Sequence, residues 1–344
     1  MSSSKQVSPE LKAAQARTLA RLSQIQDQFN STPGSGRFKS KVAILTGVGS
    51  EKGIGRASAV LLAREGAKHL YVMDFNGSSL PQLAKDLEAR YKGLKVSRIS
   101  SSFVTAIEAD ATDEAAISGV CEQAIKDEGR LDCFFANAGI VGANLLQHTD
   151  PSDFMEVFRV NTLRWVLMMR CARKGLLQDD RSIGLSVTPH SCFLAIKHAS
   201  EAMKVVQKDS GKTETGGSIV LTASVAGIRS GAGPMDYSGS KAAVINLANT
   251  AANTLFGTNI RVNSICPGLI ETGMTTYTFE RAKERGTLGK VGQLNPLRRF
   301  GVAEEIAQAV LFLASDDSSY VNGIHLPVDG GLSSSHPVVP GQAF

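Results

Sequence analysis

Tyr237 and Lys241 stand four residues apart in the stretch YSGSK, with only small residues between them. On a helix, positions i and i+4 share a face, so the phenol and the ammonium would lie side by side. That pairing has a chemical use. A free phenol, with a pKa near 10, is a poor base at neutral pH, and a neighbouring cation stabilises its phenolate. Such a phenol can exchange a proton with an alcohol or carbonyl oxygen. Thirteen residues before Tyr237, Ser224 lies at the end of the run GSIVLTAS. A strand-end hydroxyl there can face the same crevice and hold a substrate oxygen near the phenol. Each feature also has an ordinary reading: Tyr-x-x-x-Lys arises by accident on exposed helices, and Ser is a common turn residue. The surroundings must decide.

From Lys41 onward, short β-rich apolar runs alternate with helical stretches. KVAILT precedes a helix from Ile54 to Glu65 that Gly66 closes, HLYVMD one from Leu80 to Tyr91, and FVTAIEAD one from Glu114 to Glu128. LDCFFAN follows, then GSIVLTAS, a long helix from Met235 to about Phe256, IRVNSIC, a helix from Ala303 to Ala314, and GIHLPVDGG. This alternation predicts an α/β fold with a doubly wound parallel sheet, a Rossmann-type single domain over residues 41–332. Ligands of such sheets bind beyond the carboxyl ends of the strands.

The first strand runs into TGVGSEKGIGRASA. Gly47 allows the tight turn, while Gly53 and Gly55 let the backbone and a helix N-terminus approach a pyrophosphate. Asp74 closes the second strand, nineteen residues after Gly55, where a carboxylate can accept hydrogen bonds from an adenosine ribose. It would also repel a 2′-phosphate, which favours NAD over NADP. Lys52 pulls the other way, since a cation there could hold the extra phosphate.

With the glycine turn and Asp74 come Asp110 in EADATD, NAG at 137–139, Asn161 in FRVNT, Ser224, YSGSK, RVNSICPGLIET and VDGG, in that order. Through these motifs the chain resembles the short-chain dehydrogenase/reductase family over about residues 40–332. The resemblance implies a catalytic tetrad of Asn161, Ser224, Tyr237 and Lys241 and an oxidoreductase that interconverts a secondary alcohol and a ketone with NAD, or NADP. Tyr237 would be the acid/base, Asn161 would position a relay water, and Lys241 would also hold the nicotinamide ribose. The cofactor would lie along Gly47, Gly53, Ile54, Gly55, Asn137 and Gly139, with Asp110 at the adenine. Pro267, Gly268, Ile270 and Thr272 would stand near the carboxamide and the neighbouring phosphate. Family members are often dimers or tetramers, so a homodimer or homotetramer is expected.

The chain departs from the family twice. Five residues, Val48 to Lys52, separate Gly47 from Gly53 where the family has three, so Gly49 or Ser50 would fill part of the phosphate loop. After Asn161, NTLRWVLMMRCARKGLL and CFLAIKHASEAMKVV compete for one helix. Aligning Phe193 with Trp165 leaves about 28 surplus residues, roughly 164–191. Three readings stand: an insertion at the substrate rim, a helix that alters subunit contacts, or translated non-coding sequence from a misplaced splice site. If the block reroutes the helix, Asn161 is the first position to suffer.

At 344 residues and 42% hydrophobic, the chain is globular in composition. No apolar run approaches the roughly 20 residues of a membrane span. Five scattered cysteines without a C-x-x-C pair predict reduced thiols, no metal centre and a cytoplasmic setting. Against a net charge of +5, residues 1–40 carry +4 and residues 164–191 carry +3, leaving a slightly acidic body and no nucleic-acid footprint. Residues 1–40 read as an extension with a helix-like stretch (Leu11, Leu19, Leu22, Ile25, Phe29) ended by NSTPGSGR, without signal-peptide character, and 333–344 as a tail. The rim stretches VGANLLQH, AGIRSGAGPM and TGMTTYTF are mostly small or apolar, which favours an apolar carbonyl compound. His148 in the first of them is a further candidate for substrate contact. The rival readings are an NADPH-dependent reductase of 3-oxoacyl or polyketide carbonyls, and a nucleotide-binding protein impaired by the block after Asn161.

Overall fold

The computed structural model describes residues 8–91, 102–142, 147, 149–162 and 191–336. Its centre is a parallel sheet. Strand β1 (Val42–Thr46) is buried at every position, because it lies inside the sheet with helices against both faces. It pairs on one side with β2 (His69–Asp74) and on the other with β4 (Cys133–Ala136). The full order is β3-β2-β1-β4-β5-β6-β9, where β3 is Val104–Glu108, β5 Gly217–Thr222, β6 Ile260–Pro267 and β9 His325–Val328. Every pairing is parallel. Strand order reverses between β1 and β4, which opens a crevice at their carboxyl ends.

Alternate residues of each strand feed two cores. Ala43, Leu45, Val72 and Phe135 pack with α2 (Ile54–Arg64) and α9 (Ala303–Ala314). On the other face Ile44, Tyr71, Phe134 and Ile219 meet α4 (Glu114–Glu128), α6 (Ser191–Lys204) and α7 (Met235–Thr254). The helix ends carry their own signals. Asp113 accepts from the Ala115 amide to start α4, Gly129 ends it at φ 67°, and Asp150 caps α5 (Pro151–Asn161) ahead of its first-turn proline. Helix α3 (Leu80–Tyr91) covers the β2–β3 edge.

A third, smaller core lies to one side. The short pair β7 (Ile270–Glu271) and β8 (Gly301–Val302) and helix α8 (Thr276–Glu284) gather Phe279, Ala282, Leu288, Phe300 and Val302. The N-terminal stretch forms α1 (Pro9–Ser31), whose Leu22 joins this cluster while Leu19 points to solvent.

Of the two stretches competing for the helix after Asn161, CFLAIKHASEAMKVV takes it as α6, with Cys192, Leu194, Ala195, Ala199 and Met203 buried. Helix α5 ends at Asn161 with Thr162 as its cap, and the rest of NTLRWVLMMRCARKGLL and nearly all of the 164–191 block lie outside the described residues. The Ser191 hydroxyl donates to the Val160 carbonyl at 2.7 Å, so α6 begins against the last turn of α5.

Candidate active site

The glycine turn lies between β1 and α2. Gly47 has φ 71°, and a Cβ there would come within 2.8 Å of the Ala138 nitrogen, so a side chain is excluded by both conformation and space. Gly55 faces the Gly47 carbonyl with no room for a Cβ, and Gly53 caps the start of α2. The two extra residues fold over the turn rather than extending it: the Gly49 amide donates to Asp74 Oδ2 at 2.7 Å and the Ser79 hydroxyl to the Gly49 carbonyl at 2.7 Å. Asp74 also accepts from the Asn76 amide through Oδ1. Two N–H donors occupy a carboxylate with about four acceptor positions, so capacity for hydroxyl donors remains. Lys52 points away toward Glu271, 3.8 Å off, where Lys283 also binds.

Ser224 follows β5 and is buried. Its Oγ accepts from the Ala226 amide at 3.1 Å, which caps the 3₁₀ turn Val225–Gly227 and leaves the hydroxyl proton free to donate. Tyr237 and Lys241 lie one turn apart on α7. The Lys241 ammonium donates to the Thr222 carbonyl at 2.8 Å and stands 5.5 Å from the centre of the Tyr237 ring. Asn161, fully buried at the end of α5, accepts from the Ile140 amide and donates to the Ile140 carbonyl, both at 2.8 Å, and donates to Ser240 Oγ at 3.0 Å. It therefore holds the turn after NAG against α7. Asn137 donates to the Gly47 carbonyl and accepts from Thr222 Oγ1, tying that turn to β1 and β5.

These elements enclose a cleft of about 510 Å³ at the carboxyl ends of the strands. Gly47, Gly53, Ile54, Asp74, Asn137, Gly139, Ser224, Tyr237, Lys241, Pro267, Gly268, Ile270 and Thr272 line it. Gly55 and Asn161 stand behind the wall and shape it. Asp110 is not a lining residue: its Oδ1 accepts from the Thr112 amide, a local turn before α4. Ser50, Ala138, Ile140, Val141, Thr222, Met274 and Thr275 also line the cleft. Most are small or apolar residues beside named motifs, without a chemical signature of their own. His148 lies outside the described residues.

Among the described residues no thiol lines the cleft. Burial pushes the Cys121, Cys133 and Cys266 thiols up to about 12 and that of Cys192 upward as well, so none is poised as a nucleophile. Among the described residues no group of three or more His, Cys, Asp or Glu is placed to hold a metal ion, and no helix is long and apolar enough to cross a membrane.

Two family models match the chain. The one described as short chain dehydrogenase covers residues 41–188, and the one described as enoyl-(acyl carrier protein) reductase covers 184–333. A 3-oxoacyl-[acyl-carrier-protein] reductase FabG of Thermotoga maritima is 36% identical over 296 residues, 86% of this chain and 99% of the relative. The chain belongs to the short-chain dehydrogenase/reductase family. Levodione reductase of Leifsonia aquatica is 32% identical over 87% of this chain and 97% of its own length. A crystal structure of levodione reductase superposes with a TM-score of 0.67 at 31% identity, covering 87% of this chain and all of that one. A family member from Burkholderia xenovorans gives 0.69 at 28%, covering 88% of this chain and all of that one. As a member of the family, the protein is an NAD(P)-dependent oxidoreductase that interconverts alcohols and ketones. The boundary between the two matched stretches, 184–188, falls within the surplus block.

Proposed function

We propose that the enzyme prefers NAD(H) and acts on an apolar secondary alcohol or the corresponding ketone, with Tyr237 as acid/base. One observation carries this reading: Ser224, Tyr237 and Lys241 line the same cleft as the glycine turn and Asp74. The tight approach of Gly47 and Gly55 and the start of α2 suit a dinucleotide pyrophosphate. When bound, the nicotinamide supplies hydride donation or acceptance. The chain's own groups handle the proton. In the oxidative direction the Tyr237 oxygen takes the hydroxyl proton of the substrate, with the Lys241 charge stabilising the phenolate. The Ser224 hydroxyl, already accepting from Ala226, donates to the substrate oxygen and fixes it beside the phenol. Both amide hydrogens of Asn161 are committed to protein, so only acceptor capacity remains there for a relay water.

The choice of NAD rests on the Asp74 carboxylate in the cleft and on the pairing of Lys52 with Glu271, which directs that cation elsewhere. The apolar substrate rests on Ile140, Val141 and Met274, all partly exposed in the lining. A second reading, NADPH-dependent reduction of a 3-oxoacyl or polyketide carbonyl, is favoured by the 36% identity to FabG. The four cysteines among the described residues are free, buried thiols, which supports a reducing, cytoplasmic setting, and a homodimer or homotetramer is the assembly we expect of the family. The test is direct: purified enzyme is mixed with NAD or NADP and a panel of secondary alcohols while the absorbance of reduced nicotinamide is followed. Turnover of apolar alcohols with NAD is expected. Turnover only with NADPH and a 3-oxoacyl thioester would replace this reading with the second.

A further inference from the structure

Helix α1 precedes the residues that the family models match, and nothing in the chemistry above uses it. It is nevertheless fastened to two separate parts of the molecule. At its C-terminal end Phe29 is buried in the core beneath α2, α3 and α9. The Arg64 guanidinium lies over the Phe29 ring, 4.9 Å from its centre, and donates to the Phe29 carbonyl, while Arg90 donates to the Asn30 carbonyl at 3.1 Å. Carbonyls of a last helical turn lack partners within the helix, so cations from α2 and α3 cap this end. Further toward the N-terminus, Leu22 is buried in the small side core with Phe279 and Ala282 of α8 and with Leu288. Gly289 approaches so closely that a Cβ would come within 2.8 Å of the Leu11 carbonyl oxygen. Helix α8 begins directly after Met274 and Thr275, two residues of the cleft wall.

We propose that α1 is a positioning strut for the substrate side of the cleft. It ties α8 and the 3₁₀ turn Leu288–Lys290 to the α2–α3 face and thereby holds Met274 and Thr275 in place for substrate. At 1.5 Å per residue, its 23 residues span about 34 Å, long enough to reach from one body to the other. The side core holds only six buried residues, and Leu22 is the one that comes from outside the 270–302 segment. Loss of its side chain therefore loosens that segment first, while the two large cores keep theirs. The strut's effect on turnover rests on reading the cleft as the substrate site; its effect on order does not.

The experiment compares the full-length enzyme with Leu22→Ala, Leu22→Met and Gly289→Ala. The last adds a methyl where α1 seats and leaves the side core intact. Hydrogen exchange is followed over 276–291, with 54–64 and 235–254 as references, together with NADH affinity by fluorescence and steady-state kinetics on whichever panel alcohol the wild type oxidises. In Leu22→Ala and Gly289→Ala, exchange over 276–291 is expected to accelerate about tenfold or more with the references unchanged. NADH affinity stays within about twofold, KM rises about fivefold or more with kcat nearly constant, and Leu22→Met restores wild-type behaviour. Unchanged exchange over 276–291 in both variants would overturn the strut, as would acceleration spread equally over the reference helices. An inactive wild type would instead count against the reading of the cleft, and exchange alone would then decide the strut.

Discussion

Replacing Lys241 with methionine removes one charge and little volume from a slot that is 3% exposed. The ammonium stands 5.5 Å from the centre of the Tyr237 ring. With the phenolate charge placed at the ring centre and an effective dielectric constant of about 20, a unit charge at that separation stabilises it by about 3 kcal/mol. A barrier raised by that amount slows proton transfer by about two powers of ten. The substitution also strips the Thr222 carbonyl of its 2.8 Å donor, at a cost of about 1–3 kcal/mol of folding stability. Thermal unfolding therefore has to be measured beside the kinetics. The assay is kcat at saturating nucleotide, so that weaker ribose binding by the variant does not pass for slower chemistry. We expect kcat to fall about 100-fold, the methionine variant to remain folded at the assay temperature, and Lys241→Arg, which keeps the charge on a bulkier head, to lie between the two. A methionine variant within about threefold of wild type at saturating nucleotide would refute the electrostatic argument. So would a loss that vanishes as nucleotide concentration rises.

Three further outcomes follow from particular contacts. Asp74→Ser removes the carboxylate from the cleft, and affinity for NADP, read by fluorescence titration, is expected to rise about 10- to 100-fold while that for NAD falls; unchanged NADP affinity would defeat the ribose assignment. Burial pushes the Lys212 amine down to about 8 from 10.5, so between those values the unfolded chain binds more protons and stability rises with pH. Wild type should therefore gain up to about 3 kcal/mol relative to Lys212→Met between pH 8 and 10.5, measured as the difference between their urea unfolding curves so that the cysteines, which act in the opposite sense, cancel. Deleting residues 163–190 joins Thr162 to Ser191 and removes the need to close a 28-residue connection, worth about 3 kcal/mol. The shortened chain should fold, unfold at higher urea and retain activity, and loss of activity in a folded deletion variant would show that the block works at the substrate rim.

Much of this architecture was legible in the residues, for reasons that differ from place to place. The sheet showed itself because buried parallel strands are runs such as VAILT and HLYVMD, set between helices with clear stops such as Gly66 and Gly129. Helices α3, α4 and α9 have the bounds their periodicity predicts. The cleft's polar members could be named because Tyr, Lys, Ser and Asp carry chemistry in their side chains. Of its apolar members, Val141 and Met274 could be placed only as part of rim stretches and Ile140 not at all, since an apolar residue in a loop looks the same whether it faces a substrate or a neighbour. Asp110 shows the opposite limit: its carboxylate binds a backbone amide two residues on, a contact that any turn aspartate can make, so its residue type alone does not single it out. Nor does spacing reveal that α1 joins the small side core, because its contacts with Leu288 and Phe300 span more than 260 residues of sequence.

The block after Asn161 raised the sharpest conflict, since a rerouted helix would carry Asn161 away. The contacts on either side of it show why Asn161 keeps its position. Asn161 is held by two bonds to Ile140 and one to Ser240, and Thr162 Oγ1 adds another to the Ser240 carbonyl at 2.7 Å, so the end of α5 is pinned to α7 before the block begins. Past the block, Ser191 donates to Val160, a bond that serine in a helix makes to the carbonyl three or four residues before it. Ser191 thus stands where residue 163 or 164 would stand in an uninterrupted helix. Phe193 aligned on Trp165 gives the same offset of 28. Helix α6 therefore starts against the last turn of α5, at a point where both ends are independently anchored. Asn161 tolerates the interruption because its bonds run sideways to the NAG turn and to α7 rather than forward along its own chain.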